Sequence, residues 1–183
     1  MTQYARPDSD VSDGSWINSA GDNVDLYSYI NEASTPDGAY VEVADDMFGT
    51  PESVTVGLGG VTDPESDSGH NVVVRAKEGG GMGMVTLDVT LKDTSITPPG
   101  TIKTQAFTPG GSFGDHTMSL STDQAGDIGD YSALQLIITA TDNMAGMTTT
   151  TVSQAYFECP DAPAPAPTVV AKNEPEAFAM FID

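Results

Sequence analysis

The stretch Val85-Thr86-Leu87-Asp88-Val89-Thr90-Leu91-Lys92 decides the fold class. Its aliphatic residues stand at every second position, with Thr, Asp, Thr and Lys between them. An extended backbone sends successive side chains to opposite faces. The pattern therefore buries Val85, Leu87, Val89 and Leu91 on one side and wets the other, as a half-buried strand requires. A helix would scatter the same four residues around its circumference.

Working outward from that segment, the same alternation recurs at 53–58, 71–77, 102–107, 116–121, 134–141 and 148–157, and more weakly at 40–43. Threonine occurs 21 times, and its β-branch suits a pleated surface with a solvated outer face. The runs are separated by turn chemistry, including Thr62-Asp63-Pro64-Glu65, Thr97-Pro98-Pro99-Gly100 and the connection Gly79-Gly80-Gly81-Met82-Gly83. Helix is expected in two short places. Residues 24–33 put Leu26, Tyr27, Ile30 and Ala33 on roughly one face, with Asp25 in the first turn. Residues 122–128 allow one turn capped by Thr122 or Asp123. About eight strands at roughly ten-residue spacing, with so little helix, read as an all-β chain. The expected architecture is an antiparallel β-sandwich of jelly-roll type with one or two short helices. No internal repeat is visible.

Charge narrows the function. The chain has 183 residues, 27 acids, 6 bases and a formal net charge of -21. A nucleic-acid binder needs Lys and Arg to replace condensed counterions, and an anionic membrane surface attracts the same sign. Both partners are therefore set aside. No run approaches a membrane span, and no charged-then-apolar signal segment opens the sequence. Cys159 is the single cysteine, so intrachain disulfides and cysteine metal clusters are excluded, which fits a cytosolic site of synthesis. Leu, Ile, Val and Phe make up 36 residues, close to the compositional edge of disorder. Part of the core is accordingly expected to come from a partner surface.

Two domains of unequal kind are expected: a sandwich over 1–159, and an Ala-Pro linker with an extended C-terminal arm over 160–183. Proline fixes the backbone angle and removes donors, so Pro160-Asp161-Ala162-Pro163-Ala164-Pro165-Ala166-Pro167 reads as a stiff spacer. Beyond it, Phe178, Met180, Phe181 and Ile182 have no domain of their own to bury in. They are the candidate partner-binding anchors of a docking arm, each contributing about 1.5–3 kcal/mol on burial before ordering costs.

No chemical motif survives inspection. Gly110-Gly111-Ser112-Phe113-Gly114 has the letters of a hydrolase nucleophile elbow. It leads into an apparent strand, however, and the later histidine, His116, follows too closely. The acidic stretches at 8–14 and 63–69 miss the EF-hand spacing, with Ser19 and Val74 at the required glutamate positions. His70 and His116 are too few for zinc and read as strand-edge hydrogen-bonding residues. No catalytic residue, metal ligand or cofactor is assigned. Trp16, Tyr27, Tyr29, Tyr40, Tyr131 and Tyr156 are candidates either for stacking on sugars or for covering the ends of the core. Arg6 and Arg75 are expected to pair with acidic loops.

A run of segments carries a family likeness. In order they are Arg6-Pro7-Asp8-Ser9-Asp10-Val11-Ser12-Asp13-Gly14-Ser15-Trp16, Asp25-Leu26-Tyr27-Ser28-Tyr29-Ile30-Asn31-Glu32-Ala33 and Thr35-Pro36-Asp37-Gly38-Ala39-Tyr40-Val41. Gly57-Leu58-Gly59-Gly60-Val61-Thr62-Asp63-Pro64, Gly69-His70-Asn71-Val72-Val73-Val74-Arg75 and Asp127-Ile128-Gly129-Asp130-Tyr131-Ser132-Ala133-Leu134-Gln135-Leu136 follow. Over residues 6–142 the chain resembles jelly-roll virion proteins of tailed bacteriophages. That resemblance implies a non-enzymatic structural protein on the particle exterior. The expected role is capsid decoration or cement, bridging the major capsid protein or other virion subunits through the C-terminal arm, with self-association also open. The alternatives are a tail, collar or fibre subunit, or a carbohydrate-binding module that contacts host glycans.

Overall fold

A computed structural model of the chain describes residues 1–33, 37–44, 50–80, 84–142 and 148–164. The deciding segment is a strand, β7 (Val85–Asp93), whose burial alternates along its whole length. Ten further strands are present among the described residues: β1 (Thr2–Ala5), β2 (Pro7–Ser12), β3 (Ile17–Asn18), β4 (Val41–Ala44), β5 (Glu52–Leu58), β6 (Asn71–Gly79), β8 (Gly100–Phe107), β9 (Gly114–Ser119), β10 (Leu134–Asp142) and β11 (Thr149–Pro160). All pairings are antiparallel. One sheet runs β2-β5-β10-β7-β8, and the other runs β3-β4-β11-β6-β9 with β1 also on β11. The fold is an antiparallel β-sandwich of jelly-roll type.

The core lies between the two inner faces. Leu87, Val89 and Leu91 of β7 and Leu136 and Ile138 of β10 meet Val72, Val74, Val152, Ala155 and Phe157 of the opposite sheet in one continuous buried cluster. The sandwich thus closes its own core despite the sparse aliphatic content, because alternation places nearly every strand aliphatic on an inner face.

The N-terminal segment departs from expectation. Residues 2–12 form two strands, and the chain switches sheets at Arg6, so that Thr2–Ala5 joins β11 while Pro7–Ser12 joins β5. Their polar sequence hid them, since β2 is an edge strand that keeps one face in solvent. The helix expected over 24–33 is only a 3-10 turn, Leu26–Tyr29. Asp25 does not cap it. The Asp10 carboxylate does so from β2, accepting hydrogen bonds from the Leu26 and Tyr27 amides, both at 2.8 Å. The second helix, α1 (Thr122–Gly126), is capped by Ser121 and not by Thr122 or Asp123, in a reciprocal capping box with Gln124. Strand β11 runs through Pro160, one residue into the expected spacer, where Pro160 pairs with Thr2. A proline is tolerated there because it closes the strand.

Long β11 organises the sheet that matters below. Two short strands share one of its edges, β4 against its first residues and β1 against its last. Between them the Ala155 amide donates to the Ile30 carbonyl at 2.9 Å, so the segment after the 3-10 turn fills the gap. A register shift between Val152 and Gln154 marks a bulge, a device that re-aims side chains on a sheet surface.

Candidate functional site

The two outer faces differ in chemistry. Strands β5, β7 and β10 turn mainly threonines outward, with Asp88, Lys92, Gln135 and Ile137 among them and no aromatic ring. The outer face of the β11 sheet instead gathers aromatic rings, guanidinium groups and carboxylates. Three of the chain's six basic residues, Arg6, Arg75 and Lys77, border or occupy it.

Register fixes the rows of this face. Tyr4 of β1 lies opposite Glu158 of β11, which pairs with Asn71 of β6. Tyr156 pairs with Val73, and Val73 with Thr117 of β9. Gln154 pairs with Arg75, and Arg75 with Asp115. From Asn71 to Lys77 the outward positions of β6 span about 20 Å at roughly 3.3 Å per residue.

At one end Tyr4 and Tyr156 meet edge to face, with ring centroids 5.6 Å apart. The Arg6 guanidinium covers both rings, 5.6 Å and 5.4 Å from their centroids. It also donates to the carbonyls of Asn31 and Glu32. Its expected pairing with an acidic loop is replaced by cation–π contact, since its position at the sheet switch carries it over the rings. Burial, and then the Glu158 carboxylate, push the Tyr156 phenol up from its ordinary pKa, so its hydroxyl stays neutral. Tyr4 is half exposed.

In the middle, Arg75 meets the acidic groups it was expected to find. Its Nε and Nη2 donate to the two carboxylate oxygens of Asp37 at 2.8 and 3.0 Å, and Nη1 donates to Asp115 at 3.1 Å. Hydrogen bonding from Arg75 holds the Asp37 carboxyl below its ordinary pKa. The Arg75 side chain is 18% exposed, while Asp37 and Asp115 are 41% and 56% exposed, so carboxylate oxygens are what solvent meets. Ser153, at the bulge, donates to Asp37 at 3.3 Å, and Gln154 donates to the Glu32 carbonyl at 2.6 Å. At the far end the Lys77 ammonium lies 4.5 Å from the Phe113 ring centroid and 5.9 Å from that of Tyr40.

The sequence candidates separate cleanly on this frame. Tyr40 and Tyr156 stand at the face. Trp16 does not: it is fully buried in the core, its indole donating to the Glu52 carbonyl at 3.2 Å. Tyr27 and Tyr29 pack against the core, and Tyr131 is buried with its hydroxyl 2.8 Å from His70 Nε2. Tyr4 and Phe113 were missed as stacking residues. Tyr4 lies in strand β1, whose four residues Thr2-Gln3-Tyr4-Ala5 show no apolar alternation, so the sequence offered no signal for it. Ser112 leads into β9 and His116 turns its ring against Phe107, with centroids 5.3 Å apart, so no nucleophile elbow forms. Among the described residues no group of three His, Cys, Asp or Glu side chains is placed to hold a metal ion. No described helix is long and apolar enough to cross a membrane. The arm anchors Phe178, Met180, Phe181 and Ile182 lie outside the described residues.

No protein-family model matches the chain, and no curated protein matches it. Among solved structures it is similar to the enzymatically active domain of tailspike protein 4 of bacteriophage CBA120, at TM-score 0.46 and 7% identity, covering 86% of this chain and 19% of that one. The CBM22-1-GH10 modules of xylanase 10B from Clostridium thermocellum give TM-score 0.45 and 12% identity, covering 88% and 30%. The xylan-binding module CBM15 gives TM-score 0.42 and 8% identity, covering 90% and 99%. The chain thus spans only a small part of the tailspike and xylanase chains. Likeness at this level does not extend to function.

Proposed function

We propose that the chain is a non-catalytic carbohydrate-binding sandwich whose ligand lies on the outer face of the β11 sheet. The carrying observation is the coexistence, on one face, of the Tyr4–Tyr156 pair and the fixed Arg75–Asp37–Asp115 cluster. Sugar rings offer apolar C–H faces and a rim of hydroxyls. Tyrosine supplies a large, rigid contact with a polar tip, and the ion-paired cluster supplies pre-oriented hydrogen-bonding atoms. Asp37 is unsuited to protonate a glycosidic oxygen. A glycosidase general acid needs a raised pKa, and Arg75 moves this one the other way.

The setting follows the sequence resemblance: a phage particle, where such a face would contact glycans of the host envelope. The capsid-decoration reading depends on the C-terminal arm and draws no support from the described sandwich. The test is a glycan array probed with the full chain, with Tyr156→Ala and Tyr4→Ala as site variants and Thr90→Ala, on the opposite sheet, as control. Binding should vanish in Tyr156→Ala, weaken in Tyr4→Ala and persist in Thr90→Ala. Absence of binding to every glycan, or equal binding by all variants, would refute the proposal. Trp16→Ala is unsuitable because it empties the core.

A further inference from the structure

Resting on that reading of the face, we infer that its ligand is a neutral, hydroxyl-rich glycan and not an acidic or sulfated one. The inference comes from where the charges end. Arg75 is the natural anchor for a sugar carboxylate, but all three of its outward nitrogens donate to Asp37 and Asp115. The Nε–Nη2 edge is filled by Asp37 in bidentate fashion, so a ligand carboxylate gains that edge only by displacing a carboxylate already in place, exchanging one charge-assisted pair for another. The atoms that the cluster offers to solvent are carboxylate oxygens, which accept hydrogen bonds and repel anions. Hydroxyl donors match them.

Arg6 is engaged in the same way, held over Tyr4 and Tyr156 and donating to the Asn31 and Glu32 carbonyls. Lys77 has no ion pair among the described residues, but its ammonium faces the Phe113 and Tyr40 rings. On the face Arg6, Arg75 and Lys77 balance Asp37, Asp115 and Glu158, so its charges are compensated internally, while the chain as a whole carries -21. An anionic polymer approaches that field against repulsion, whereas a neutral one does not sense it.

The experiment is affinity electrophoresis of the full chain through gels carrying neutral polysaccharides (xylan, mixed-linkage glucan, galactomannan) or anionic ones (polygalacturonate, alginate, a sulfated galactan). Each gel is run at low and high salt. Retardation is expected on at least one neutral polymer, with affinity changed less than about twofold by salt, since no ion pair with the ligand is made. Asp115→Ala, at an exposed position, should weaken that binding by about tenfold through loss of a charge-assisted acceptor. Retention only on anionic polymers, steeply weakened by salt and abolished by Tyr156→Ala, would overturn the inference while leaving the face as the binding site. Retention on a neutral polymer that Tyr156→Ala and Asp115→Ala leave untouched would overturn the site itself. No retention on any polymer would overturn both.

Discussion

Arg6 and Arg75 carry equal charge and do different work, because their neighbours differ. Arg75 has two carboxylates within hydrogen-bond reach, whereas Arg6 has two phenol rings and two carbonyls. His70 shows how burial sets behaviour at the same scale. Its ring is buried against Phe157 and Tyr131, with Nε2 2.8 Å from the Tyr131 hydroxyl. Burial lowers its pKa from the usual value near 6.5. The unfolded chain therefore takes up a proton that the folded chain refuses, and stability should fall as pH drops below about 6.5. His70→Gln should flatten the pH 7 to 5 part of a stability profile measured by urea unfolding. An unchanged slope would remove His70 as its source. Asp10 provides a second prediction. Asp10→Ala strips the Leu26 and Tyr27 amides of their acceptor and should cost about 1–2 kcal/mol in the same assay. Cys159 is buried, and burial pushes its thiol up to about 11, so thiol reagents should label it only on unfolding.

At the scale of elements, β11 decides the most. Its length lets β4 and β1 share one edge, and its bulge turns Ser153 toward Asp37 next to Gln154. The loop after β2 meets β5 under a tight constraint. Gly14 has φ of +56°, and a Cβ there would stand 2.2 Å from the Ser53 carbonyl oxygen. Gly14→Ala should therefore lower the melting temperature by the equivalent of about 1–3 kcal/mol, by combining backbone strain with a clash against a strand. A neutral outcome would mean that this loop is free to move off β5. Strand β1 is pinned a second way. Gln3 donates to the Thr62 carbonyl at 2.8 Å, accepts from the Thr62 amide at 2.9 Å and donates to the Pro160 carbonyl at 2.9 Å. Removing residues 1–5 should thus lower the melting temperature and weaken glycan binding together, since Tyr4 leaves with the strand.

Over the whole molecule, a charge of -21 on 183 residues works against compactness. Raising salt from about 10 mM to about 1 M shortens the screening length from about 30 Å to about 3 Å. The melting temperature should rise across that range, while binding to a neutral glycan stays constant. Scanning calorimetry and affinity electrophoresis on one preparation would check both. A melting temperature indifferent to salt would mean that the described ion pairs offset the repulsion.

Period-two alternation made the inner strands legible, because each of β5, β6, β7, β10 and β11 commits one face to the core and that commitment is written locally. The sandwich class, and the absence of cysteine chemistry beyond Cys159, follow from the chain alone. Strands β1 and β2 were not legible, since a polar edge strand has little core face to betray it. Nor was the fate of the aromatic residues. Trp16 and Tyr156 look alike as sugar-stacking candidates, and only packing sends one to full burial and the other to an outer face. Tyr4 and Tyr156 lie 152 residues apart, as do partners such as Asp37 and Ser153 at 116, and no local pattern encodes contacts of that separation. The sequence determined which residues alternate and how much charge they carry. The tertiary structure decided which outer face collects the rings and which charges cancel, because both depend on strand register across a sheet whose neighbours are distant in the chain.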